Sequence, residues 1–382
     1  MQPEHLLIKN TRQWSTQDRE WMSLALQLAK KGRYTVRSNP LVGCVIIKDG
    51  QILGQGWHEK AGMAHAEINA LTAAKANGAD VKGAICYVTL EPCSHQGKTG
   101  SCATALVAAG IGKVICAMED PNPLVSGKGF ARLLDAGIAV EYGLYEDQAQ
   151  QLNRGFCSRM LRQLPWLTCK LAMSLDGRTA LASGESQWIT GAAARQDVHR
   201  LRATQDAIIT GAGTVTFDNP SLTVRLTELS DLPMQHSTNK LQFKQPARVI
   251  IDPQARVSPQ AKVFNDDASV YWVNQQQQQH ASQQVNTLDY QSDFYSLLQQ
   301  MALKGMNYLM LESGHQLAGG FLQQGLIDEL HIYMAPKLMG NYAKGLFELN
   351  IEHMQNTPQL ALQDIRQLGE DIRLIYQVNK TG

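Results

Sequence analysis

The triplet His65-Ala66-Glu67, followed by Pro92-Cys93 and then by Cys102, constrains this chain more than any other feature. An imidazole and two thiols spread over that much chain can share one ion only if the backbone returns twice to the same point. A neutral imidazole and two thiolates make a three-ligand set for Zn²⁺ and leave a fourth tetrahedral position for water. The ion would lower the pKa of that water from 15.7 to about 7. Glu67, two positions beyond the histidine, is placed to take the water's proton rather than to bind metal. On a regular helix, residues two apart point to nearly opposite sides. The pattern therefore predicts that His65 stands at a helix start, where the backbone leaves helical angles.

Around this trio, strands and helices alternate. Helices are expected at 16–31 (apolar face Trp21, Leu24, Leu28), 65–76, 102–109 and 129–136, and strands at 42–47, 52–56, 84–90, 113–117 and 139–142. Asp49-Gly50 predicts a hairpin turn between the first two strands. The alternation is that of an α/β layered domain. A polar helix over 146–162 reads as a connector, which divides the 382 residues into domains 1–163 and 164–382. The second half alternates again, with strands at 167–173, 206–210, 247–251, 269–273, 307–311 and 329–334 and helices at 192–203, 291–303 and 317–324. The stretches 226–246 and 274–289, the latter carrying Gln275 to Gln279, read as polar and irregular.

Composition narrows the classes. At 44% hydrophobic the chain can bury substantial cores, and 35 basic against 34 acidic residues leave +1, without the excess of a phosphate-driven nucleic-acid binder. Met1 to Trp14 has no apolar targeting core, and no run approaches the ~18 apolar residues of a membrane span. Seven cysteines without regular spacing suit thiols or metal ligands better than disulfides, so a cytoplasmic enzyme is expected. Cys44, Cys86 and Cys116 fall in apolar strands and read as core.

H-x-E followed by P-C is the zinc arrangement of nucleobase deaminases, although eight residues rather than two separate Cys93 from Cys102. Three other readings stay open. A closed structural zinc site would need a fourth ligand, for which His95 is nearest. A zinc module without enzymatic activity would use the metal only to hold the fold. A tRNA or other polynucleotide deaminase would share the chemistry but predicts a basic surface. His58 reads as a loop residue near substrate. In the second half nothing matches G-x-G-x-x-G after a strand, so a Rossmann fold is unsupported. Gly211-Ala212-Gly213-Thr214 is a short Gly-rich turn. The run Glu312-Ser313-Gly314 to Gly320 after a strand suits either diphosphate binding at a helix start or tight packing.

The chain resembles the bifunctional riboflavin-biosynthesis RibD family. The likeness rests on Gly56-Trp57-His58, Gly62, His65-Ala66-Glu67, Tyr87 through His95 and Asp120-Pro121-Asn122-Pro123. It continues in the second half at Ser174 through Arg178, Ser183 through Thr190, Asp218-Asn219-Pro220 and Leu222 through Arg225. The long Cys93–Cys102 spacing fits that family. The resemblance implies a cytidine-deaminase-like three-layer N-terminal domain and a dihydrofolate-reductase-like α/β C-terminal domain, with Zn²⁺ and NADPH as cofactors. It implies deamination of 2,5-diamino-6-(5-phosphoribosylamino)pyrimidin-4-one and then reduction of the ribosyl chain. Zinc would be held by His65, Cys93 and Cys102, with Glu67 catalytic. Asn39 would contact the ring, and His95 and Lys98 the substrate phosphate. By position, NADP would meet Ala172, Trp188, Thr214, Asp218, Pro253 and the run Gly314, His315, Gln316, Leu317, Ala318, Gly319 and Gly320. Substrate of the reductase would meet Ser186, Arg202, Leu222, Arg225 and Glu312, the two arginines suiting a sugar phosphate. Lys170, Asp176 and Glu312 are the candidates for the proton that reduction consumes, Glu312 being the first choice for orienting substrate. A homodimer acting on small-molecule pyrimidine ribosyl phosphates is expected, with neither nucleic acid nor membrane as partner.

Overall fold

The computed structural model describes residues 8–9, 14–94, 100–229, 243–276, 278–282, 284–289 and 293–379. Two compact units divide the chain, Met1–Gln163 and Leu164–Gly382. No helix among the described residues is long and apolar enough to cross a membrane.

The first unit contains β1 (Ile8–Lys9), α1 (Thr16–Lys30), β2 (Gly43–Lys48), β3 (Gln51–Trp57), α2 (Ala66–Ala76), β4 (Ile85–Val88) and α3 (Cys102–Ala108). After these come β5 (Lys113–Cys116), α4 (Lys128–Asp135), β6 (Ala139–Tyr142), α5 (Glu146–Leu152) and α6 (Arg154–Arg162). The sheet order is β1-β6-β5-β4-β2-β3. β3 and β4 both run antiparallel to β2, so both end at the same edge, and the segments bearing His65 and Cys93 emerge there together. Asp49 and Gly50 turn the β2–β3 hairpin with φ of 51° and 74°, the doubly left-handed conformation that an Asp-Gly pair accommodates.

Ser15 and Asp18 cap α1 reciprocally, and Tyr87 donates to the same Asp18 at 2.7 Å. The buried face of α1 is Met22, Ala25, Leu26, Leu28 and Ala29, one residue round from the expected Trp21 and Leu24, which are half-buried. The reason is local. A Cβ on Gly43 would strike the Ala25 carbonyl and the Ala29 amide, so glycine and alanines bring helix and strand together where larger side chains could not.

The second unit is built on β7 (Trp166–Ser174), β9 (Ala207–Gly211), β10 (Ala247–Ile251), β11 (Val270–Asn274), β12 (Val285–Asp289), β13 (Tyr308–Leu311), β14 (Glu329–Ala335), β16 (Leu360–Leu368) and β17 (Asp371–Val378). Their order is β12-β11-β10-β9-β13-β7-β14-β17-β16, and a separate pair joins β8 (Arg178–Ala180) to β15 (Lys344–Gly345). The strands from β12 to β14 are mutually parallel, whereas β17 runs antiparallel to both of its neighbours, β14 and β16. The helices are α7 (Ala192–Ala203), α8 (Ala212–Asp218), α9 (Phe294–Leu303) and α10 (His315–Gln323). One face of the sheet packs Leu167, Ile209, Leu309 and Leu311 against Leu298, Met301 and Phe321. The other packs Ile208, Ile250, Trp272 and Met310 against Ala212 and Val215. Burial on both faces is why these strands read as apolar runs rather than alternating patterns.

Four differences from the sequence reading have physical causes. The hairpin β16–β17 lies beyond the last expected strand; β16 is an edge strand with Leu362 and Ile365 exposed, so it lacks the half-buried alternation that marks a strand. β12, also an edge, forms within the stretch read as irregular. The Gly211–Thr214 turn is the cap and first turn of α8. The helix over 146–162 breaks at Asn153 into α5 and α6.

Candidate active sites

His65 is the N-cap of α2, with φ −76° and ψ 168°. Its extended backbone turns the imidazole to the same side as Glu67, as the two-residue spacing requires. Cys93 follows β4, and Cys102 opens α3, whose cap Ser101 also donates to the Cys93 carbonyl at 2.8 Å. The ligand atoms of His65, Cys93 and Cys102 lie within 4.8 Å of one another, with His65 Nδ1 3.6 Å from Cys93 Sγ and 3.3 Å from Cys102 Sγ. Tetrahedral zinc with bonds of ~2.0 to 2.3 Å sets its ligands about 3.5 Å apart, so this donor set fits the ion. The Cys102 thiol donates to Cys93, and with His65 and the Cys102 amide it brings the Cys93 thiol down to about 4, against the effect of burial. Cys93 therefore favours the thiolate, whereas the hydrogen bond to Cys93 and burial push the Cys102 thiol well above its ordinary value.

Glu67 is 3% exposed, and burial pushes its carboxyl up to about 7. A buried carboxylate of that basicity beside three metal ligands can both accept and return a proton near neutrality. His58, equally buried, meets the Ala64 carbonyl through Nδ1 at 3.1 Å and Asn39 Nδ2 through Nε2 at 3.1 Å. Burial lowers its pKa. The neutral ring therefore donates through Nδ1 and accepts from Asn39, and ties that residue to the segment ending in His65. Glu91 accepts the backbone N–H groups of Asp120, Gly127, Gly129 and Phe130 at 2.8 to 3.3 Å, which anchors the start of α4 beside Pro92-Cys93. Cys44, Cys86 and Cys116 are fully buried. His95 and Lys98 lie outside the described residues.

In the second unit a cavity of about 720 Å³ opens at the carboxyl ends of β7, β9 and β13, the place where open α/β sheets bind ligands. Lys170, Ala172, Ser186, Trp188, Arg202, Thr214, Asp218, Leu222, Arg225, Glu312, Gly314, His315, Gln316 and Leu317 line it. Four expected cofactor contacts do not. Ala318 is fully buried in the core; Cβ positions on Gly319 and Gly320 point at Glu348 and the Phe294 ring. The Pro253 carbonyl is bonded to Gln275 N–H at 3.1 Å. Only the first turn of α10 reaches the cavity, because its next turn packs on the sheet.

Glu312 stands at the centre of the polar wall. Arg202 Nη2 reaches its two oxygens at 2.9 and 2.8 Å, and Lys170 Nζ lies 3.7 Å away. Burial opposes ionisation, yet Arg202 and Lys170 together hold the carboxyl at about 2. Arg202 is further tied to the Thr223 carbonyl at 3.0 Å, so its guanidinium is held against Glu312 in the cavity wall. Arg225 is exposed and has no ion pair among the described residues. Asp176 is outside the cavity wall; Ser174 Oγ and the amides of Met339 and Gly340 keep its carboxyl at about 2.

Sequence reasoning passed over Arg195 and His199. With Val198 and Arg202 they form one stripe of α7 at spacings of three and four, which helical periodicity alone could have exposed. Arg195 lies over the Trp188 ring, 4.9 Å from its centroid. His199 Nδ1 accepts the Arg225 N–H at 3.2 Å. Burial first, and then Arg202 and Arg225, bring its pKa down to about 4. Between pH 6.5 and 4 the unfolded chain binds a proton here and the folded chain does not, so stability falls as pH drops through that window. Chemical denaturation at pH 7 and pH 5 should show a smaller loss in His199→Gln than in the parent chain.

Comparison with known proteins finds relatives for both units. Residues 15–118 match the cytidine and deoxycytidylate deaminase zinc-binding region, and residues 165–374 match the RibD C-terminal domain. Riboflavin biosynthesis protein RibD of Escherichia coli is 46% identical over 365 residues, 94% of this chain and 98% of its own. The structure of Acinetobacter baumannii RibD superposes with a TM-score of 0.87 at 43% identity, covering 95% of this chain and 99% of the other. A Thermotoga maritima protein described as a diaminohydroxyphosphoribosylaminopyrimidine deaminase/5-amino-6-(5-phosphoribosylamino)uracil reductase matches with a TM-score of 0.85 at 30% identity, over 95% and 99% of the two chains.

Proposed function

The chain belongs to the RibD family of bifunctional riboflavin-biosynthesis enzymes, and on that premise we propose how its own residues divide the work. It joins a zinc-dependent pyrimidine deaminase to an NADPH-dependent reductase. In the first reaction the ring 2-amino group of 2,5-diamino-6-(5-phosphoribosylamino)pyrimidin-4-one is exchanged for oxygen. In the second the ribosyl chain is reduced to give 5-amino-6-(5-phosphoribitylamino)uracil. The observation that carries the assignment is the buried Glu67 carboxyl beside the His65, Cys93 and Cys102 cluster.

Held by those three residues, zinc supplies Lewis acidity and a water acidic near pH 7. Glu67 accepts the first proton of the attacking water and delivers it to the ring nitrogen; it then takes the remaining proton from the oxygen newly bonded to the ring carbon and passes it to the departing amine as the C–N bond breaks. Asn39 spends one N–H on His58 and offers the other N–H and its carbonyl oxygen to the pyrimidine edge.

In the reductase, NADPH supplies the hydride when bound. The wall formed by Ala172, Trp188, Thr214, Asp218 and Gly314 to Leu317 positions the cofactor, and the N-terminus of α10 faces its phosphates. Ser186, Leu222 and Glu312 orient the substrate, and Arg225 takes its phosphate. Lys170 donates the proton, since Glu312 and Asp176 are both held as carboxylates. Arg225→Ala should raise the reductase KM for the pyrimidine phosphate by at least about tenfold, the worth of one charge-assisted contact of ~1.5 to 3 kcal/mol. Deamination measured on the same preparation should be unchanged; equal loss of both activities would contradict the division.

The same proposal includes a homodimer. β16 is an edge strand with Leu360, Leu362 and Ile365 exposed, and a second copy would cover it. Light scattering should give twice the 42.2 kDa chain mass, and Ile365→Glu should shift it toward the monomer. A cytoplasmic location follows from the need to keep Cys93 and Cys102 reduced, and the +1 balance leaves no reason to add nucleic acid as a partner.

A further inference from the structure

The stretch 146–162 reads in the sequence as a connector, yet the joint between α5 and α6 reaches back 112 residues into the deaminase. Asn153 is 1% exposed. Its backbone N–H bonds to Ala149 and Gln150 in α5, and its carbonyl accepts Cys157 N–H of α6 at 2.9 Å. Both helices therefore fix the position of its side chain. That side chain accepts the Leu41 N–H at 2.7 Å through Oδ1 and donates to the Leu41 carbonyl at 3.0 Å through Nδ2. It satisfies both backbone groups of one residue, as a neighbouring strand would.

The choice of Leu41 has a chemical logic. Asn39 is followed by Pro40, which has no N–H to hold. Leu41 is thus the first residue after Asn39 whose backbone can be gripped from both sides. Arg159, from α6, donates to the Ser38 carbonyl at 3.3 Å on the other side of Asn39. The Asn39 side chain is meanwhile held by His58, whose ring stands edge-on to that of His65 with centroids 5.2 Å apart.

We infer that Asn153 is a positioning residue for deamination: by clamping Leu41 it holds the Ser38–Leu41 segment so that the Asn39 amide meets the pyrimidine at the zinc site. This rests on the reading of Asn39 as a ring contact. The clamp acts on substrate placement, and the zinc ligands and Glu67 belong to other segments.

The test uses the full zinc-loaded chain and compares Asn153→Asp, Asn39→Ala and the double variant. Asn153→Asp keeps the acceptor for Leu41 N–H and replaces the donor that faces the Leu41 carbonyl. The deaminase KM should rise on the order of tenfold, as small misplacements of a binding group do. Zinc content and the reductase KM should stay at parental values. In the Asn39→Ala background the same replacement should add nothing further to KM. An unchanged KM with only a lowered melting temperature would overturn the inference, because packing alone predicts that. So would effects of the two replacements that multiply. If Asn39→Ala by itself leaves KM unchanged, the ring-contact reading fails first and takes the clamp with it. Should Asn153→Asp yield no folded protein, Asn153→Ser, whose hydroxyl can meet only one of the two Leu41 groups at a time, gives the same comparison.

Discussion

Glu67→Gln should leave the zinc content of the chain unchanged and slow ammonia release by about two to four orders of magnitude, the usual worth of a positioned acid–base group. The amide is nearly isosteric with the carboxyl, so the packing around a residue 3% exposed is kept. What disappears is the ability to take a proton and return it. Burial has brought the carboxyl up to about 7, where both protonation states are accessible at neutral pH; an amide has neither. Reduction of the deaminated pyrimidine by the same variant should proceed at the parental rate, since Glu67 belongs to the first unit alone. Loss of zinc would make Glu67 a ligand, and deamination within tenfold of the parent would remove its proton-transfer role.

Glu312→Ala should have the largest effect on the second unit. The substitution leaves Arg202 and Lys170 facing each other with no counter-ion, in a position where Glu312 is 7% exposed. Breaking a buried pair by removing one partner costs about 3 to 5 kcal/mol. Denaturant unfolding of this unit should report a loss of that order, with reductase kcat/KM falling on the order of a hundredfold as the substrate loses its orienting carboxylate. The pH dependence has a definite sign. A carboxyl held at about 2 stabilises the fold at any pH above its ordinary value and loses that contribution as pH falls toward 2. The variant should therefore be less sensitive than the parent to acid below about pH 4.5. Parental reductase activity in Glu312→Ala would contradict its place in the site.

Much of this was legible in the sequence because chemistry and backbone had to agree. His65 and Glu67 are two apart and can serve one site only from a helix start, and His65 is the cap of α2. Parallel strands buried on both faces announced themselves as apolar runs. Edge elements did not: β16 carries Leu362 and Ile365 on an exposed surface, and β12 lies among polar residues. The partners of charged groups were equally hidden. Nothing in the spacing of Arg202 and Glu312, 110 residues apart, shows that the arginine is paired with the glutamate. Asn153 looked like a helix residue in a connector for the same reason, since its partner Leu41 is distant in the chain. Local patterns reveal which residues share an element; the pairing of distant polar groups depends on how the elements meet.

The most direct test follows ammonia release and NADPH oxidation together in one mixture of the purified zinc-loaded chain, the diaminopyrimidine phosphate and NADPH. One ammonia should appear for each NADPH oxidised, with oxidation lagging behind release, and Glu67→Gln should suppress both until the deaminated pyrimidine is supplied. NADPH oxidation without ammonia, or ammonia release undiminished in Glu67→Gln, would contradict the account.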